Sequence, residues 1–294
     1  HDHKRGEDVR TRLAVLSEIP SRWCELADRW ASTVPYRVDC GDAHMLHQTI
    51  VGAWPIDLAA DDEDGLGRFT DRLAQWQIKA LREAKLVTSW ACPDEAYEQA
   101  CLEYLREIMS PGSDVVRDAV CFASEIAPAG WAKSLVQTML RYTLPGVPDL
   151  YQGCELWDQS LVDPDNRRPV DYENRIDALR RSDNAWLTGG SKQHLISELL
   201  GLRREQPDLF RHGRTNYVEL QGTQSANAIA FERHLDDKRM ILVAATQCSR
   251  PCIEHRSPSP SRDWWDDTKL LLPNGETIAA IDLTGDSAFG LKVY

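Results

Sequence analysis

The chain has 294 residues, 42% hydrophobic and 27% charged, a composition that supports a sizeable core and excludes a disordered tail or a fibre. Its 34 basic residues against 46 acidic ones give a formal charge of -12, which repels a phosphate backbone and excludes nucleic acid as the expected partner. Apolar runs such as Met240 to Ala245 fall far short of the roughly 18 residues of a spanning helix, so no membrane partner is expected either.

Length alone suggests about two domains at roughly 150 residues each, unless one is a closed α/β barrel. The eight cysteines are too few for a disulfide scaffold and fit a reducing cytoplasm. The opening residue is His with no leader after it, which reads as a segment of a longer protein.

Helical spacing dominates the first 140 residues. Val9, Leu13, Leu16 and Ile19 form one apolar stripe, Pro20 breaks it, and Trp23, Leu26, Ala27 and Trp30 form a second. Asp61 to Gly67 reads as an acidic surface loop. Leu73, Trp76, Ala80, Ala84 and Val87 predict a further helix, and Tyr97, Ala100, Cys101, Tyr104, Leu105 and Ile108 another. A helix pair broken at Pro128 comes next, then a buried strand over Asp149 to Gly153, entered through Pro145, Gly146 and Pro148. Residues 158 to 190 read as a long polar loop with a short helical piece. Leu195, Leu199 and Leu202 continue as a helix ending near Pro207. From Tyr217 onward the runs NYVEL, AIAFERH, MILVAAT, TKLLLP and TIAAIDL predict strands, with turns at Asp236 and Asp237 and at Asn274 and Gly275.

Four features carry chemistry. HDHKRGEDVR gathers His1, Asp2, His3, Lys4, Arg5, Glu7 and Asp8 before a helix, either as a charged helix start or as polar groups at the end of a barrel strand. The loop after Gly153 combines Glu155, Asp158, Asp163, Asp165 and Asp171 with Arg167 and Arg168. Such a set can meet sugar hydroxyls with donors and acceptors, or close the loop on itself through salt bridges. Cys248, Cys252 and His255, like Cys40, His44 and His47, lack a convincing fourth ligand, so no metal is expected. Trp264 and Trp265 could stack on a glycan, although burial is the commoner use of such a pair. Nucleotide, serine-hydrolase and zincin motifs are absent from the sequence.

PGVPDLYQGCE resembles the eighth-strand segment of the α-amylase superfamily, and the opening HD resembles its short motif at the end of strand seven. Within that superfamily, HDHKRGEDVR, GCELWDQSLVDPDNRRPVDY and the following ELLGLRREQPDLF are similar to the maltooligosyl trehalose synthases. The resemblance implies an α/β fold, the C-terminal part of a (β/α)8 barrel with a large helical insert, followed by an antiparallel β domain. The implied segments are 1-34 (end of strand seven and helix seven), 35-112 (helical insert), 113-211 (barrel helix, strand eight, long loop and helix eight) and 212-294 (β domain).

The implied reaction is intramolecular transglucosylation. It converts the reducing-end α-1,4 link of a maltooligosaccharide or α-1,4-glucan into an α,α-1,1 link with net retention and without a cofactor. Asp2 matches the family's third catalytic carboxylate. His1, Lys4 and Arg5 match substrate-binding positions of the same motif, and Asp165, Arg167 and Arg168 lie in the loop lining the cleft. The nucleophile and general acid belong to strands that would precede His1. The missing N-terminal half of the barrel is therefore an expected partner, and the chain alone is expected to be inactive. Another α-amylase superfamily hydrolase or transglycosylase, and a non-catalytic glucan-binding module, are the competing readings.

Overall fold

The computed structural model describes residues 5–181 and 186–294. Contacts divide the chain into two compact units. One holds residues 1–127 and 158–169, the other 128–157 and 170–294.

The first unit is helical. α1 (Glu7–Ala14) runs into a 3₁₀ turn, and Pro20, the first residue of α2 (Pro20–Ala31), sets the break the sequence predicts. α3 (Cys40–Ala53) starts at Asp39, whose carboxylate accepts from the N–H groups of Gly41 and Asp42. α1 approaches α3 at Gly52, where an added Cβ would lie 2.8 Å from Leu13. Buried Arg12 donates to the carbonyls of Val51, Gly52 and Trp54 and so terminates α3.

α4 (Glu63–Ala84) begins earlier than the sequence suggests. Asp62 caps it through the Gly65 N–H, and Glu63 and Asp64 suit its positive end, so most of the expected acidic loop is the first turn of a helix. Lys85 ends it in the left-handed region, which leaves Val87 outside the helix and exposed. α5 (Glu95–Ile108) buries the stripe Ala100, Cys101, Tyr104, Leu105 and Ile108. The core of this unit is formed by Trp30, Leu46, Ile50, Leu73, Trp76 and Leu105.

α6 (Asp114–Thr143) corrects the expected break: Pro128 sits inside one continuous helix. An interior proline forfeits one backbone hydrogen bond at a cost of about 3 kcal/mol, here offset by burial of Ile126, Ala127, Ala129 and Trp131 around it. The boundary between the two units falls at this proline.

The second unit continues from Pro128. The expected strand over Asp149 to Gly153 is not formed; this stretch is irregular, with Val147 94% exposed. A strand is stabilised by paired neighbours, and among the described residues of this unit no strand lies beside it. α7 (Tyr172–Arg181), α8 (Gly190–Glu205) and α9 (Pro207–His212) follow. Next come β1 (Arg214–Gln221), β2 (Ala228–Leu235), β3 (Lys238–Ala245), α10 (Ser249–Glu254), β4 (Lys269–Leu271), β5 (Thr277–Ala279), α11 (Ala280–Thr284) and β6 (Phe289–Val293).

The strands form one antiparallel sheet in the order β5-β4-β1-β2-β3-β6. Asp236, in the left-handed region, makes the tight β2–β3 turn. Two details differ from the sequence reading. TIAAIDL is half strand and half helix, because α11 begins at Ala280, and SAFGLKVY supplies β6, an edge strand paired with β3.

Trp131, Trp157 and Trp186 cluster in this unit, with Trp131 stacked on Trp157 at 5.8 Å. The ammonium of buried Lys192 lies 5.8 Å from the Trp157 ring. Trp265 is buried and donates to the Ser287 carbonyl, a structural use, while Trp264 beside it is only partly buried. No helix among the described residues is long and apolar enough to cross a membrane.

Candidate functional site

The start of the chain and the loop 158–169 meet in the first unit. The Gly6 N–H donates to the Ser160 carbonyl at 2.9 Å, and Arg5 and Leu161 form an isolated antiparallel bridge. A Cβ on Gly6 would lie 2.4 Å from that carbonyl oxygen, so the approach requires glycine. Two residues further on, buried Asp8 accepts from the Asp158 N–H at 2.8 Å. The backbone that follows the HDHK motif is thus pinned to the loop.

α4 holds the loop from another side. Arg72 grips Asp165 with Nε and Nη2 at 2.8 and 3.0 Å and also donates to the Gln159 carbonyl. Lys79, seven residues along the helix, donates to the Asp163 carboxylate at 2.7 Å. The Leu161 N–H completes the ring of donors around Asp165. Burial pushes the Asp165 carboxyl up, but Arg72, the Leu161 N–H and Arg168 outweigh it and hold the group below the usual carboxylate range. The hydrogen bond from Lys79, helped by its charge and that of Arg167, lowers the Asp163 carboxyl against the opposing effect of burial.

Of the residues read from the sequence, His1, Asp2 and Lys4 lie outside the described residues. Arg5 is turned into the protein. It donates to Thr49 Oγ1 at 2.9 Å and lies 5.7 Å from the Trp76 ring, and burial lowers its pKa. Asp165 is likewise spent on protein partners, the salt-bridged alternative the sequence left open. Arg167 reaches Asp163 and is exposed. Arg168 donates to Ser160 Oγ and the Asp165 carbonyl while half its side chain remains exposed. Of the described residues in that set, Arg167 and Arg168 are the two that present guanidinium groups to solvent.

Sequence reasoning missed Arg72 and Lys79, and took Asp8 only as part of a charged helix start or strand end rather than as the acceptor for the Asp158 N–H. Only the seven-residue spacing of Arg72 and Lys79 on one helix face hinted at a shared role. The two Cys/His groups gather no metal site: among the described residues no three His, Cys, Asp or Glu side chains could hold an ion. Cys248 and Cys252 lie buried with sulfurs 3.9 Å apart, and His47 hydrogen-bonds Tyr104 instead.

No family model matches the sequence. A Mycobacterium tuberculosis protein bearing the name maltooligosyl trehalose synthase is 34% identical over 290 residues, covering 99% of this chain and 34% of that protein. The structure of maltooligosyltrehalose synthase from Arthrobacter ramosus superposes with a TM-score of 0.74 at 29% identity, over 98% of this chain and 37% of the other. Both of these relatives carry the name maltooligosyl trehalose synthase. A Sulfolobus tokodaii structure described by the same name gives a TM-score of 0.66 at 30% identity over 83% of the chain. The chain spans about a third of the length of these synthases and fits their C-terminal part.

Proposed function

We propose that the chain is the C-terminal part of a maltooligosyl trehalose synthase, carrying the end of a (β/α)8 barrel and one of its three catalytic carboxylates. The observation that carries this is similarity along 99% of the chain to a relative three times as long. The substrate is a maltooligosaccharide or α-1,4-glucan, and the product carries a terminal α,α-1,1-linked trehalosyl unit, made in the cytoplasm.

Retention at the anomeric carbon takes two displacements, and hence a carboxylate nucleophile and a carboxylic acid that protonates the leaving oxygen. Neither role falls to this chain; both belong to the part of the relatives that it does not span. Asp2 is the third carboxylate. It accepts hydroxyl hydrogen bonds that strengthen as the sugar ring flattens toward the oxocarbenium ion. His1 holds a neighbouring hydroxyl and Lys4 the reducing-end glucose. Arg5 and Asp165 work as positioning residues: the bridge to Leu161 and the grip of Arg72 hold Arg5, the first described residue, against the loop. Arg167 and Arg168 donate to substrate hydroxyls.

The purified chain is expected to leave the reducing ends of maltopentaose intact. In the full-length enzyme, Asp2→Asn is expected to lower kcat at least about 100-fold while substrate still binds, since the lost interaction acts mainly in the transition state. Turnover by the chain alone overturns the partial-enzyme reading, and an unchanged kcat removes Asp2 from the chemistry.

A further inference from the structure

Beside the pinned loop the first unit holds a second feature. Arg68, Asp71 and Gln75 succeed one another at three- and four-residue spacing and so share one face of α4. They line a cavity of about 540 Å³, within the range of small-ligand sites, together with Asp57 and Asp62 of the preceding turn and Arg168. Leu58 and Phe69 form its apolar floor, and the Arg72 guanidinium lies 5.5 Å from the Phe69 ring.

The chemistry of the lining decides among ligand classes. Three carboxylates face three guanidinium groups, and one of the latter, Arg72, is already neutralised by Asp165. No positive excess remains to attract an anion. The carboxylates do not converge into a cation site, since no metal-binding group exists among the described residues. An apolar ligand would strand the polar groups. Arg168 and Asp62 have protein partners, the latter as the cap of α4. The side chains of Arg68, Asp71, Gln75 and Asp57 have no protein hydrogen bond or ion pair among the described residues. They offer donors and acceptors side by side, which is what a neutral polyhydroxylated ring needs, each hydroxyl donating to a carboxylate and accepting from a guanidinium or amide.

We infer that the cleft between α4 and the turn before it is a saccharide-binding site taking a glucosyl segment of an α-1,4-glucan through Arg68, Asp71 and Gln75. The choice of glucan over another sugar rests on the function proposed above; the choice of a neutral saccharide rests on the lining alone.

The test titrates maltotriose, and separately inorganic phosphate, into the intact chain by calorimetry. Arg68→Gln and Asp71→Asn are titrated in parallel; both sites are exposed and unpartnered, so their thermal midpoints are expected to match the wild type. Maltotriose is expected to bind, each variant to weaken it at least about tenfold, and phosphate to bind more weakly than the sugar. Absence of maltotriose binding, binding unaffected by both variants, or preference for phosphate overturns the inference. None of these results bears on the proposed reaction, which is read separately from reducing ends in the full-length enzyme.

Discussion

His47 shows how a single buried group sets a pH limit. Its ring is 1% exposed, edge-on to Trp30 and hydrogen-bonded to Tyr104. Burial, with the charge of His44 adding to it, pulls its pKa down to about 4. A base with a folded pKa below its unfolded one leaves the unfolded chain binding more protons between the two. Its contribution is therefore full above about pH 6.5 and is lost as pH falls toward 4. Between pH 7 and 5 the loss is about 2 kcal/mol. Thermal melts should show it, and His47→Gln should flatten the slope; equal slopes in both proteins would remove His47 as the cause. Arg72 makes the complementary case. Arg72→Met strips a buried carboxylate of its bidentate partner, at a cost of about 3 kcal/mol, and Arg72→Lys rescues little because an ammonium cannot reproduce the fork. Hydrogen exchange at the Leu161 amide, which donates to Asp165, should accelerate in both variants. With both loop carboxyls held low, the wild-type loop should loosen only as pH falls below the ordinary carboxylate range.

Two glycines separate conformation from packing at the level of the element. Gly189, at the start of α8, has φ of 83°, and a Cβ there would lie 2.5 Å from the Trp157 nitrogen. Gly67 is an ordinary residue inside α4 with nothing within 4 Å. Gly189→Ala should cost at least about 2 kcal/mol, whereas Gly67→Ala should add about 0.5 to 1 kcal/mol by restricting the unfolded chain. Denaturant titrations measure both, and the same sign for both would refute the distinction. Elements were legible in the sequence where one face is buried over several turns: α2 and α5 follow their stripes, and β1 to β3 follow their runs. Pro128 misled because its local cost is set against burial contributed by distant residues. The Asp149 to Gly153 strand misled for the opposite reason, a good local pattern without a neighbour. For the candidate site, the loop and its charges were legible, but its holders were not. Arg72 meets Asp165 across 93 residues of chain, and no spacing rule reaches that far.

Exposed apolar residues concentrate in the second unit. Leu144, Val147 and Tyr151 precede the long loop, and Tyr172, Ile176 and Leu179 follow one face of α7. A surface of this kind favours association, opposed by a net charge of -12. Sedimentation should give a mass that rises with concentration and with salt, and Val147→Glu with Ile176→Glu should abolish the rise. A monomer at every concentration and salt would contradict it. The tie between Gly6 and Ser160 works on a different axis, that of time. A ribosome adding about 5 to 20 residues per second makes Ser160 about eight to thirty seconds after Gly6. Through that interval the helices of the first unit can assemble locally, since closing so long a loop early would cost entropy that no other contact yet returns. The segment around Gly6 is thus among the last parts of its unit to find its place, and pulse-labelled exchange should find the Gly6 amide protected later than the amides of α5.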